Sequence, residues 1–221
     1  METNVGIEEM KMKKPSLFGM ITSPAVQFER MRGKTPIAMP LIILLLITAI
    51  SGALASYISL NNPEISEALA EAEFKVPIAV TLGMGAVGAL FGGAVVYFLS
   101  AAFYKVCMVL LGNDTTYRQL LGIVIYSSII SALGVLINIG IALAIGGYEP
   151  TYTSLAPLFS DRTLHAIAAN FDIFNIWSYF VIGLGLNKVA GLSKTKATIL
   201  VAVIFLIGVG LSSLTGLLPQ A

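Results

Sequence analysis

Charge is what this chain most lacks. Asp, Glu, Lys and Arg together supply 11% of its 221 residues, where a soluble domain carries roughly a quarter. So few charges cannot cover a water-soluble fold of this length, and 57% of the residues are hydrophobic. The composition is that of an integral membrane protein. Net charge near +1, with no basic stretch interleaved with aromatics, excludes a nucleic-acid groove. One cysteine, Cys107, excludes an intrachain disulfide. One histidine, His165, excludes a zinc site of the two-histidine type. Glycines are plentiful in "GMGAVGALFGGAVVYFLS", but that run is apolar and lacks the Lys and Ser or Thr of a phosphate loop. No serine has an evident base, and Asp172 is the one aspartate that falls near an apolar run, so no catalytic pair of carboxylates can be assembled there. An enzyme is not expected, nor is a cofactor or a metal.

What the chain does have is long uncharged runs. Residues 35–63, 76–104 and 119–148 carry no charge, nor does the stretch from Ala197 to Ala221. A helix crossing about 30 Å of hydrocarbon needs roughly 20 apolar residues at about 1.5 Å each. These four windows suffice. The window 173–187 is too short alone, and must start upstream near Leu164, taking Asp172 into or near the membrane. The runs are continuous rather than alternating, which argues against a barrel. The expectation is an all-α, polytopic bundle of five spans, at about 37–59, 77–104, 119–145, 164–186 and 198–218.

Basic residues next to short loops stay cytoplasmic. Lys11, Lys13, Lys14, Arg30, Arg32, Lys34, Lys105, Arg118, Lys188, Lys194 and Lys196 fall on one side of such a bundle. Only Lys75 and Arg162 fall on the other, which also holds Glu64, Glu67, Glu71, Glu73, Glu149, Asp161 and Asp172. Eleven against two predicts a multi-pass cell-membrane protein with a cytoplasmic N-terminus and an extracytoplasmic C-terminus.

Residues 1–34 then form a cytoplasmic tail ahead of a membrane domain at 35–221. Within the tail, "ITSPAVQFERMRGK" is not a signal peptide, since acidic residues precede it and Pro24 splits its apolar patch. Ser23 and Pro24 read as a helix start. The spacing predicts a short amphipathic helix over 24–34 with Pro24, Phe28 and Met31 on one face and Gln27, Arg30 and Lys34 on the other. Such a helix lies along the inner membrane surface, with Phe28 and Met31 toward lipid and Arg30, Arg32 and Lys34 toward headgroups; the simpler alternative is a solvated or protein-docked helix.

Three stretches, "SLFGMITSPAVQFERMR", "TTYRQLLGIVIYSSI" and "FDIFNIWSYFVIGLGLNKVAGLSKTKA", carry a resemblance to the YIP family, the Ypt-interacting-protein domain. The resemblance reaches from Ser16 to Ala197 and implies five spans and a cytoplasmic N-terminus. Eukaryotic members work at early secretory membranes with Rab-type GTPases. Tyr126 is followed by "SSIISALG" without the proline of that pattern, so the chain looks more like the bacterial branch. Some members there accompany ABC-type exporters that protect the cell from antimicrobial peptides.

Within the spans, small residues recur at helical spacing. In the second span Gly85, Ala89 and Gly93 fall four apart, as do Gly88 and Gly92. Ser127, Ser131, Gly134 and Asn138 make a stripe in the third, and Gly208, Ser212 and Thr215 repeat the idea in the fifth. Such stripes let helix backbones approach. Packing within the chain is the plain reading, and a subunit-binding face or a narrow polar pathway the sharper one. In the fourth span Asp172, Asn175 and Tyr179 share a face, with His165, Asn170 and Trp177 nearby. Either they form a polar site near the outer surface for a partner helix or a cation, or Asp172 marks the water interface beside an aromatic belt at Trp177. The first outer loop, "NNPEISEALAEAEFK", reads as a short helix starting at Asn62 and Pro63, whose glutamates form a solvated face.

Two function classes follow. One is a non-catalytic accessory or scaffold protein that assembles or regulates another membrane complex, an ABC-type exporter on the resemblance alone. The other is a small permease or ion channel. Transporters usually show repeated halves or broken helices around midplane polar groups, and no repeat is visible here, so the bilayer and a membrane-protein partner are the expected company.

Overall fold

A computed structural model describes residues 14–33, 35–71 and 76–217, without the side chains of Glu64 and of residues 215–217. Among the described residues every regular element is helical. The order is α1 (Gly19–Thr22), α2 (Pro24–Met31), α3 (Ala38–Ser59), α4 (Pro63–Glu71), α5 (Ile78–Leu110), α6 (Tyr117–Ile145), a 3-10 turn (Ala156–Leu158), α7 (Arg162–Ala168), α8 (Ile173–Lys188) and α9 (Lys194–Leu217).

Four of these, α3, α5, α6 and α9, are long and apolar enough to cross a membrane, and a fifth span results if α7 and α8 count together. Their bounds follow the uncharged windows. α5 runs past its window through Lys105, because that ammonium group donates to the Thr115 carbonyl at 2.9 Å and so has a partner without leaving the helix. α5 and α6 then end on glycines in the left-handed region, Gly112 (φ 68) and Gly146 (φ 65). The following amides reach back to close the last turn, Asn113 to Met108 at 2.8 Å and Gly147 to Ala142 at 2.9 Å.

The fourth span differs from the expected continuous helix at 164–186. It is broken into α7 and α8, which meet at 43°. Side chains compete with the helical backbone at the break. Asn170 turns its amide back to the carbonyls of Ala166 (3.0 Å) and Ile167 (3.3 Å), stopping α7. Asp172 accepts from the amides of Phe174 (2.8 Å) and Asn175 (3.1 Å), starting α8 as an N-cap does.

The amphipathic helix is also corrected in detail. α2 ends at Met31 rather than at residue 34, and its Ser23 hydroxyl does not cap it. Ser23 Oγ instead donates to the Gly19 carbonyl at 3.3 Å, because α1 has placed that acceptor one turn away. Lys34 lies outside the described residues.

The chain forms two compact units, each assembled from several helix segments. Among the described residues, the first takes those within 14–44, 95–131 and 176–207, and the second takes those within 45–94, 132–175 and 208–217. In the first, Phe28, Met31, Leu44, Met108, Tyr126 and Leu186 are among the fully buried side chains. In the second, Ile58, Ile139 and Ala142 form a small core with Leu54 and Tyr152 against it.

Candidate functional site

In the second unit a polar cluster gathers residues from α6, the loop after it, the α7–α8 break and α9. Asn138 is 5% and Asp172 7% exposed, so both need partners within the protein. Thr153, from the loop, supplies them. Its hydroxyl donates to Asp172 Oδ2 and accepts from Asn138 Nδ2 at 2.8 Å. Its backbone amide donates to Asn138 Oδ1 at 2.9 Å. Asn138 Nδ2 also reaches the Gly134 carbonyl at 3.0 Å. Asp172 Oδ1 is taken by the two amides that start α8, so both carboxylate oxygens are used.

The cluster continues along the chain. Asn175 Nδ2 donates to the Asn170 carbonyl at 2.8 Å, and Asn170 Nδ2 donates to Ser212 Oγ of α9 at 2.9 Å. Ser212 in turn donates to the Gly208 carbonyl at 2.9 Å. Chemically, this arrangement joins four segments through hydrogen bonds that lipid cannot replace. In the same unit His165 Nε2 lies 2.9 Å from Glu149 Oε2, and the other oxygen of Glu149 accepts from the Thr151 amide at 3.2 Å. That loop is therefore tied at Thr153 and again at Glu149.

Asp172 and Asn175 adjoin at the start of α8, where the backbone amide of Asn175 is the donor to Asp172, and Tyr179 packs elsewhere. Its ring packs edge-on against Phe205, with centroids 5.5 Å apart, in the first unit. Trp177 is half-buried. The expected stripe of α6 is not uniform either. Ser127 is buried and its hydroxyl has no partner among the described residues, while Ser131 is exposed. Gly134 is tightly packed: a Cβ there would meet Phe174 Cβ at 2.5 Å. The side chain of Thr215 lies outside the description.

The two small-residue stripes of α5 part company. A Cβ on Gly85 would stand 2.0 Å from Ser56 Oγ and 2.6 Å from the Gly52 carbonyl oxygen, and one on Gly93 would stand 2.9 Å from Thr48 Cγ2. Ala89 faces Gly52, where an added Cβ would come within 2.3 Å of its own. So Gly85, Ala89 and Gly93 fit against Thr48, Gly52 and Ser56 of α3, a close approach of two small-residue stripes. At Gly88 and Gly92 a Cβ would meet no neighbouring atom within 4 Å, and Met84, Val87 and Phe91 around them are exposed.

In the first unit the apolar side of α2 is covered by protein, which corrects its expected placement against lipid. Phe28 is 0% and Met31 1% exposed. Gly185 of α8 and Gly122 of α6 provide the seat: a Cβ at Gly185 would lie 2.9 Å from Phe28 Cζ, and one at Gly122 would lie 3.2 Å from Met31 Cε. The expected polar face is modified as well. Gln27 is buried and accepts from the Ser16 amide (2.8 Å) and Arg30 Nη1 (3.2 Å). Arg32 donates to the Lys188 carbonyl at 2.6 Å, and Glu29 pairs with both Arg32 and Lys188. The α8–α9 loop is held in the same unit, where Asn113 Nδ2 donates to the Ala190 carbonyl at 2.9 Å.

Sequence reasoning missed Thr153, Gly122, Gly185 and the Thr48–Gly52–Ser56 stripe. The stripe was open to the same spacing rule that found Gly85 and its companions. Thr153 was not, because its partners lie 15 and 19 residues away along the chain. Cys107 is a half-buried free thiol, and no group of three or more His, Cys, Asp or Glu side chains among the described residues is placed to hold a metal ion.

The membrane protein YknW of Bacillus subtilis (strain 168) is 36% identical over 226 aligned positions, covering 99% of this chain and 97% of that protein. No solved structure matches. The pattern of the Yip1 domain matches residues 18–216, from the edge of α1 to the end of α9, and the chain belongs to the Yip1 domain family.

Proposed function

We propose that this multi-pass protein is a non-catalytic accessory subunit that assembles or regulates another membrane complex through the outward stripe of α5. The carrying observation is that stripe: Gly88 and Gly92 have open space above them on a long apolar helix, while the neighbouring stripe of Gly85, Ala89 and Gly93 is already occupied by α3. A partner helix can approach closely at two glycines without displacing any side chain of this chain. The polar groups support the same reading. Both oxygens of Asp172 are engaged within the chain, three donors filling most of the carboxylate's acceptor positions, which weighs against a permease or channel that uses it as an ion ligand.

The partner class is an ABC-type exporter, on the family resemblance, and the N-terminus is cytoplasmic and the C-terminus extracytoplasmic, on the distribution of Lys and Arg. Extraction in mild detergent, followed by identification of co-purifying chains, tests the proposal. Exporter subunits are expected with the unaltered protein and lost with Gly88→Leu, Gly92→Leu. Unchanged co-purification removes the stripe from the argument. Solute or ion flux through the isolated protein in liposomes makes it a permease instead.

A further inference from the structure

Between α3 and α5 lies α4, exposed at every position from Ile65 to Glu71. Its sequence is two-sided. Ile65, Ala68 and Leu69 share one side by helical spacing, and Glu67 and Glu71 share another. The two large apolar side chains, Ile65 at 38% and Leu69 at 41% exposed, are left open by the described residues.

The connections limit where this helix can go. Successive turn bonds lead out of α3: Leu60 to Tyr57, Asn61 to Ile58, Asn62 to Ser59 and then Ser66 to Asn62, all between 2.9 and 3.2 Å. α4 therefore begins within a turn of the end of a spanning helix. The last turn of that helix carries exposed Tyr57, a residue type that favours the membrane–water boundary. At the other end, residues 72–77 separate Glu71 from Ile78 of α5, a second spanning helix. Six residues reach about 20 Å at full extension, and the helix itself is about 13.5 Å long. Held at both ends by spans, α4 stays close to the lipid surface.

We propose that α4 is an interfacial helix whose Ile65 and Leu69 sink into the lipid surface while Glu67 and Glu71 face water. The tether brings the apolar side to the boundary without a separate binding step, and the glutamates keep the opposite side hydrated. Carboxylates disfavour anionic headgroups, so the surface it suits is zwitterionic. The proposal does not depend on what covers the Gly88–Gly92 stripe.

Single-cysteine variants of the full chain test it. Ile65→Cys, Glu67→Cys, Leu69→Cys and Glu71→Cys, each with Cys107→Ser, are labelled with an environment-sensitive fluorophore and reconstituted into phosphatidylcholine vesicles. Lipids carrying a nitroxide high on the acyl chain act as the quencher. Labels at 65 and 69 are expected to emit further to the blue and to be quenched severalfold more than labels at 67 and 71. Equal quenching at all four positions overturns the proposal. So does water-like emission at 65 and 69, which makes α4 a solvated helix. Blue-shifted emission there without quenching by lipid also overturns it, since protein then covers the face.

Discussion

Replacing Thr153 with valine removes one hydroxyl and keeps the shape of the side chain. Two bonds go with it, the one donated to Asp172 Oδ2 and the one accepted from Asn138 Nδ2. The backbone bond from Thr153 to Asn138 Oδ1 remains, as do the two amides on Asp172 Oδ1, so the effect isolates the hydroxyl. A hydrogen bond to a charged group is worth ~1.5–3 kcal/mol and a neutral one ~0.5–1.5 kcal/mol. Side-chain bonds within membrane proteins average only ~0.6 kcal/mol, with ~1.7 kcal/mol the largest. Burial decides between the scales. Asp172 is 7% exposed, so water has little room to replace the lost donor, and an unpartnered carboxylate oxygen stays behind. The expected cost is about 2–4 kcal/mol, measured by reversible unfolding in mixed micelles titrated with sodium dodecyl sulfate. Thr153→Ser retains the hydroxyl and is expected within about 1 kcal/mol of the parent, the methyl group accounting for the difference. A Thr153→Val protein within about 0.5 kcal/mol of the parent, the range of an ordinary surface change, refutes the view that this hydroxyl joins the loop to the helix break.

The two glycine stripes of α5 are expected to respond oppositely to the same change. Gly85→Ala presses a methyl group against the α3 backbone and costs about 1–3 kcal/mol, whereas Gly88→Ala enters open space and changes stability by no more than about 0.5 kcal/mol; the same unfolding titration compares them. Phe28→Ala empties the seat of α2 at Gly185 and costs about 3–5 kcal/mol in the packing of that helix. It is expected to expose the chain at Arg30 and Arg32 to trypsin, read by limited proteolysis in detergent, and unchanged cleavage would count against a docked α2.

Much of the architecture is legible along the chain because lipid imposes a one-dimensional condition. A run without charge and of sufficient length becomes a span, and the windows at 35–63, 76–104 and 119–148 correspond to α3, α5 and α6 within a few residues. The fourth window showed its difficulty in advance, being short and preceded by Asp172. What could not be read was that Asn170 and Asp172 would each turn a side chain onto the backbone and break the helix. Residues of this type serve equally as buried polar groups and as caps, and their neighbours in space decide which. Small-residue spacing likewise located both stripes of α5 without telling which one was occupied. The amphipathic pattern of α2 was correct as a pattern, but lipid and a groove of protein attract the same apolar stripe, and Gly122 and Gly185 made the groove.

Composition and spacing by themselves determined that the chain is helical, where its apolar spans lie and which helix faces are small or polar. These follow from the cost of charge and unpaired backbone in lipid, which each segment meets alone. Tertiary structure alone decided which faces meet: Thr153 between Asn138 and Asp172, α3 on one stripe of α5, Phe28 over Gly185. Those outcomes depend on contacts between residues far apart in the chain, and no local periodicity carries that information.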